Sequence, residues 1–284
     1  MNDKVMLVTG ANSGMGRATA ASLADTGARV VMLCRDKIRG EEALMEVLEQ
    51  NRERRLELML CDLGDMNDIR RFTQEFKNKY GRLDVLVNNA GVITLDRRET
   101  KDGLELQFGV NHIGHFLLTV RLLDIIPGVS GGRIVVVGSG AHKMGKIHFE
   151  DINLTRGYNV MSAYGQSKLA NLLFTRELAR RLEGTGITVN CAHPGAVATS
   201  MGVDRKTGFG KSLTGLLKPF FQTPEQGAGT ALFLALDPSV KEVSGEYFYK
   251  CKIAGSSKAS KNEKLARELF ELSERLTGEK LVRC

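Results

Sequence analysis

The sequence predicts an α/β fold, one doubly wound domain whose parallel sheet of about seven strands carries helices on both faces. Three observations lead there. Short apolar runs alternate with amphipathic segments of helical length. The runs are continuous rather than alternating, as strands covered on both faces must be. A glycine-rich turn stands between the first run and the first helical segment, where such folds bind anions.

Taken in order, "KVMLVT" (4–9), "ARVVML" (28–33), "LELML" (56–60), "LDVLVN" (83–88), "GRIVVV" (132–137), "GITVNC" (186–191) and "GEYFY" (245–249) read as strands. Between them lie helical segments such as "DIRRFTQEFKNKY" and "NLLFTRELARRLEG", the second closed by Gly184 and Gly186. β-α alternation requires right-handed crossovers. Residues 1–250 are expected to form the dinucleotide-binding catalytic domain. Residues 251–284 form a lysine-rich segment and a helix docked on that same domain. The stripe Leu265, Leu269, Leu272 and Leu276 suits such docking, with a membrane-surface helix as the alternative. "GVDRKTGFGKSLTGLLKPFFQTP" (202–224) belongs to no strand and is expected to be a substrate lid. Its apolar face of Leu213, Leu216, Leu217, Phe220 and Phe221 suits an apolar substrate.

Composition narrows the function. The 284 residues are 42% hydrophobic, enough for a sizeable core. The formal net charge of +7 permits an anionic ligand, but no aromatic-interleaved basic stripe points to nucleic acid. The five cysteines and five histidines lack metal-ligand spacing, so no metal site is expected. Scattered cysteines at the ends of apolar runs suggest a reducing, cytoplasmic setting. No apolar run reaches membrane-span length, and Met1 stands almost directly before the first strand, so neither a span nor a signal peptide is expected.

The turn "TGANSGMGR" places Gly10, Gly14 and Gly16 between strand and helix, where glycine lets backbone approach a pyrophosphate. This makes the domain Rossmann-type, with Asn12, Ser13 and Met15 in the same turn. The second strand ends in "MLCRDK". Arg35, with Arg17 after the turn, suits a ribose 2′-phosphate and hence NADP(H); Asp36 could instead face the ribose hydroxyl of NAD. Asp62 and Leu63 fall where an adenine would lie, and Asn89, Ala90 and Gly91 supply small residues and amides beside the cofactor. In "SAYGQSKLAN", Tyr164 and Lys168 are four apart and so share a helix face. A cation about 4 Å from a phenol interacts by roughly 4 kcal/mol at a dielectric of about 20, enough to draw its pKa from about 10 toward neutrality.

In this order "TGANSGMG", "CDL", "NNAG", Asn111 in "VNHIGHF", Ser139 in "VVVGSGAH", "YGQSK" and "HPGAVAT" resemble the short-chain dehydrogenase/reductase family over about residues 4–250. Its retinol-dehydrogenase and WW-domain oxidoreductase branch is the most similar, through "NHIGHFLLT", "AHKMGKIHFEDIN", "SKLANLLFTRELARRL" and "SGEYFYKCK". The resemblance implies an NADP(H)-dependent oxidoreductase that interconverts a carbonyl and an alcohol on an apolar small molecule, retinoid-like molecules included. It implies Tyr164 as acid/base, Lys168 as the group that lowers its pKa and holds the ribose, Ser139 on the substrate oxygen, and Asn111 keeping a water in a relay with Lys168. Pro194, Gly195, Val197 and Thr199 would wrap the nicotinamide end. His112 and His115 are expected to pack or hydrogen-bond, and His142 to be structural or to line the pocket. Retinol-type members often carry an N-terminal hydrophobic anchor that this sequence lacks, so a soluble protein is expected. A homodimer is left open. Alternatives on the same fold are a non-catalytic NADP-binding sensor or scaffold and a reductase of C=C bonds.

Overall fold

A computed structural model describes residues 1, 3–128, 131–195 and 222–281. One sheet organises them, in the order β3-β2-β1-β4-β5-β6-β7-β8. The strands are β1 (Val5–Thr9), β2 (Arg29–Cys34), β3 (Arg55–Leu60), β4 (Val85–Asn88), β5 (Arg133–Val137), β6 (Thr188–His193), β7 (Tyr247–Tyr249) and β8 (Lys252–Ile253). The first seven pair in parallel, with Val8 beside Met32 and Val87, and Val136 beside Asn88 and Cys191. The sequence pattern accounts for seven strands. The eighth is a two-residue antiparallel return against β7, too short and too exposed to leave an apolar run.

The strands read as continuous apolar runs because both faces are covered. Val5, Leu7, Val31 and Leu33 point into one core layer, and Met6, Val8, Val30 and Met32 into the other. The second layer is closed by α1 (Gly14–Ala24), α2 (Lys37–Gln50) and a helix Pro224–Leu236. The first is closed by α3 (Met66–Tyr80), the short α4 (Leu106–Phe108), α5 (His115–Leu122), α6 (Val160–Arg181) and the C-terminal helix. Numbered on in chain order, Pro224–Leu236 is α7 and Glu263–Thr277 is α8. No helix among the described residues is long and apolar enough to cross a membrane.

Short polar side chains start several of these helices. Asp36 accepts from the Arg39 amide, Asp65 from Asn67 and Asp68, Asn159 from Met161 and Ser162, and Asn262 from Leu265. Thr223 and Gln226 make a reciprocal capping box ahead of α7, with Pro224 in its first turn.

The C-terminal helix α8 lies on α5 and α6. Phe270 is 1% exposed and meets Phe116 edge-on at 5.0 Å between centroids. The Arg181 guanidinium covers the Phe270 ring at 3.9 Å. Leu269 is buried, while Leu265 and Leu276 pack partly buried against the same core. The expected lid lies almost wholly outside the described residues, which resume at Gln222.

Candidate active site

The glycine turn leaves the C-terminal end of β1 and enters α1. Gly10 and Gly14 have φ of +66° and +51°, a region that disfavours any side chain. A Cβ on Gly16 would sit 2.3 Å from the Gly10 carbonyl oxygen, so the turn closes only with hydrogen there. Ser13 precedes α1 in extended conformation without a side-chain cap bond. The first amides of α1 are thus not satisfied by a Ser13 cap, which suits an anionic ligand.

Thr9 holds this turn to its neighbour. Its buried hydroxyl accepts the amides of Asn89 at 2.9 Å and Ala90 at 2.8 Å, and lies 2.9 Å from His115 Nε2. The Asn89 side chain donates to the Thr9 carbonyl at 2.7 Å. These amides of "NNAG" therefore brace β1 against β4. Sequence reasoning misses Thr9; a polar residue ending an otherwise apolar strand is the signal it leaves. Met15 packs against Val137 and Ala228, and the Leu63 side chain lies in the core. Both side chains are buried. The Asp62 carboxylate accepts the Gly64 amide at 2.9 Å. Arg35 is exposed at the end of β2, and Arg17 pairs with Glu46 on α2. Asp36, the rival for the ribose, is engaged as the α2 cap.

Ser139, Tyr164 and Lys168 come together at the C-terminal end of β5. Ser139 follows β5 and begins the 3-10 turn Gly140–Lys143. Tyr164 and Lys168 lie on α6, which approaches this loop closely: a Cβ on Gly145 would meet the Gly165 carbonyl at 2.2 Å. The Ser139 hydroxyl acts on the Tyr164 phenol and lowers its pKa, while Ser139 Oγ itself accepts the Ala141 amide at 3.2 Å. Lys168 is 3% exposed, donates to the Val137 carbonyl at 3.1 Å, and stands 5.7 Å from the Tyr164 ring centroid. Burial depresses its ammonium to about 8.

Tyr164 departs from the expectation. Burial raises its pKa, and the Ser139 hydroxyl offsets only part of that rise. The reason is geometric: the ammonium is directed to the Val137 carbonyl rather than to the phenol.

Asn111 lies in a π-helical stretch, Gly109–Gly114, between α4 and α5. Such wide turns recur at functional sites because they redirect single residues. The Asn111 side chain accepts from the Val92 amide at 2.8 Å and donates to the Val92 carbonyl at 3.0 Å and to Ser167 Oγ at 3.1 Å. Ser167 in turn donates to the Tyr164 carbonyl at 2.9 Å. The amide therefore ties the loop after β4 to the helix carrying Tyr164. His115 Nδ1 lies 3.1 Å from the Asn111 carbonyl, and His112 Nε2 lies 2.9 Å from Ser273 Oγ. Burial pushes both imidazoles down, to about 4 and about 3, so both stay neutral. They are packing and hydrogen-bonding residues, as the sequence leads one to expect.

Pro194 and Gly195 follow β6, with Gly195 at φ +83°. Val197 and Thr199 lie outside the described residues. Among the described residues no cluster of His, Cys, Asp and Glu could hold a metal ion.

Comparison with known proteins agrees with this geometry. Residues 4–208 match the model of the short chain dehydrogenase family. Mouse retinol dehydrogenase 14 is 46% identical over 290 residues, covering 98% of this chain and 87% of that protein. An uncharacterized protein from Mycobacterium paratuberculosis has a crystal structure superposing with a TM-score of 0.79 at 34% identity, over 98% of this chain and 95% of that one. A blue fluorescent protein from a metagenomic library, crystallised in complex with NADPH, superposes with a TM-score of 0.69 at 28% identity, over 87% and 96% of the two chains.

Proposed function

Because the chain belongs to the short-chain dehydrogenase family, and so is an oxidoreductase on that fold, we propose that it uses NADP(H) to interconvert a carbonyl and an alcohol on an apolar small molecule. The observation that carries this reading is the gathering of Ser139, Tyr164 and the buried Lys168 ammonium at the C-terminal end of β5, with the ammonium 5.7 Å from the Tyr164 ring centroid. A hydroxyl pair next to a buried cation is suited to holding a substrate oxygen while a proton moves to or from it.

The residues present fit the cofactor. The turn at Gly10–Gly16 admits no Cβ at its tightest point and leads into a helix N-terminus without a side-chain cap. Arg35 at the end of β2 and Arg17 after the turn would meet the 2′-phosphate of the adenosine ribose, while Asp36 commits one carboxylate oxygen to capping α2. These features favour NADP(H) over NAD(H), as does the NADPH complex of the structural relative. When bound, the nicotinamide supplies or accepts the hydride.

The chain's own part follows from its geometry. Ser139 Oγ donates to the substrate oxygen as negative charge gathers there. Tyr164 Oη gives its proton to that oxygen in reduction and takes it back in oxidation. Lys168, whose ammonium is turned to the Val137 carbonyl, would hold the nicotinamide ribose and reach the phenolate through that ribose rather than directly. Asn111 holds α6 in register with the loop after β4 and serves the relay that returns a proton to Lys168. Val197 and Thr199 are assigned to the nicotinamide end.

The name of the mouse relative, together with the apolar pattern of the 202–224 segment, favours a retinoid-like or other apolar substrate. The buried free thiols of Cys34, Cys61 and Cys191 fit a reducing compartment such as the cytoplasm. The test is NADPH consumption against aldehydes and ketones graded by length and ring size, with all-trans-retinal among them. Turnover should rise with apolar size. Turnover confined to short polar carbonyls would reject the substrate class, and equal affinity for NADPH and NADH would reject the cofactor assignment.

A further inference from the structure

His142 stands three residues after Ser139, and its ring is 1% exposed. Nδ1 lies 2.7 Å from the Ser139 carbonyl oxygen. Nε2 lies 3.2 Å from the backbone nitrogen of Ser257. A carbonyl can only accept and a backbone amide can only donate. The two contacts together therefore require a neutral ring with its proton on Nδ1. Burial disfavours the imidazolium, and the charges of Lys143 and Arg176 add to this against the favouring bond to Ser139. The ring also meets Tyr247 edge-on at 4.9 Å, which fixes its plane.

Ser257 is itself held. Its side chain accepts the Ser260 amide at 3.2 Å, and its carbonyl accepts the Ser260 hydroxyl at 2.7 Å. This turn leads into α8, which is docked on α5 and α6. Ser257 lies beyond the residues 4–208 that match the family model. A chain of fixed groups thus runs from the C-terminal segment to the backbone of Ser139.

We infer that His142 is a positioning residue for Ser139, clamped in a single tautomer by the Ser257 amide, so that the segment after β8 forms part of the catalytic apparatus. The inference rests on the reading of Ser139 as the group that holds the substrate oxygen. The Nδ1–H bond shares the Ser139 carbonyl with the His142 amide at 3.2 Å, and the Ala141 amide holds Oγ at 3.2 Å; the ring thus adds a side-chain restraint to the turn that sets where Oγ points. A misplacement of about 1 Å at such a group costs up to about a hundredfold in rate.

Two measurements on the full chain test it. Long-range nitrogen–proton NMR, with the His142 signals assigned by their loss in His142→Asn, should show a neutral ring protonated on Nδ1 at pH 7. Protonation on Nε2, or a cation, overturns the clamp. Kinetics then use NADPH-dependent reduction of all-trans-retinal, with Ser139→Ala as the reference. His142→Gln can reach Ser257 but cannot donate from the Nδ1 position. It should lower kcat about tenfold to a hundredfold while leaving NADPH affinity within about threefold. His142→Asn places an amide where Nδ1 stood and should recover kcat to within about threefold of wild type. If both variants match wild type, or both fall together with their melting temperatures, His142 does not position Ser139. If Ser139→Ala keeps wild-type kcat, or the wild type does not turn over, the underlying reading fails and takes the catalytic role of His142 with it. The tautomer result then still stands on its own.

Discussion

Lys168 is a positive charge in a place that offers almost no water, 3% exposed with one carbonyl at 3.1 Å. Its folded pKa is about 8 against 10.5 for an ordinary lysine. Below pH 8 both folded and unfolded chains hold the proton, and the folded chain carries a desolvation cost of about 3 kcal/mol. Between 8 and 10.5 the unfolded chain binds the proton that the folded chain has released, so this contribution to stability rises with pH. Lys168→Met should therefore melt higher than wild type at pH 7, with the gap closing as pH approaches 10. A variant that melts lower at pH 7 would show that the ammonium is a net structural asset. Arg35 carries the second prediction at this scale. Arg35→Asp should lose roughly 10- to 150-fold in NADP(H) affinity and shift preference toward NAD(H), measured by titration calorimetry. An unchanged preference would remove Arg35 from the 2′-phosphate. Ser139, Tyr164 and Lys168 are legible in the sequence because each is a reactive side chain in a local pattern. The roles of Thr9, Ser167 and His142 are not, because they act through backbone groups up to 115 residues away, and no local spacing encodes such contacts.

At the scale of elements, the strands are legible for a physical reason: burial on both faces forbids polar alternation, so each core strand leaves an apolar run. Burial on one side of α8 leaves its leucine stripe just as visibly. Yet Phe270, one residue off that stripe, makes the ring contacts to Phe116 and Phe174 and lies under Arg181. Phe270→Ala should cost about 3–5 kcal/mol of stability, read as a lower urea midpoint. It should loosen the turn at Ser257, which leads into this helix. Full stability in the variant would mean α8 is an ornament on the domain. The π-helical stretch at Gly109–Gly114 leaves no mark in the sequence. Its cause is tertiary: the Asn111 side chain is drawn to Val92 and Ser167, and His115 to Thr9. Helical periodicity is blind to a turn widened by contacts made elsewhere.

For the molecule as a whole, the glycine turn after β1, the Ser139 loop after β5 and Gly195 after β6 all leave the same, C-terminal edge of the parallel strands. Ligands bind there in open α/β sheets because strand order reverses between β1 and β4 and leaves a crevice. In the proposed reading the turn takes the phosphate end of the cofactor, and the β5–α6 junction supplies the proton. The central claim is that one hydroxyl, Tyr164 Oη, moves that proton. The most direct test is Tyr164→Phe, which keeps the ring and removes only the oxygen. Its kcat for NADPH-dependent reduction of all-trans-retinal should fall by about a hundredfold to ten-thousandfold, with the NADPH dissociation constant within about threefold of wild type. A variant that kept more than about a tenth of wild-type kcat would contradict this mechanism, because the acid would then have to be another group.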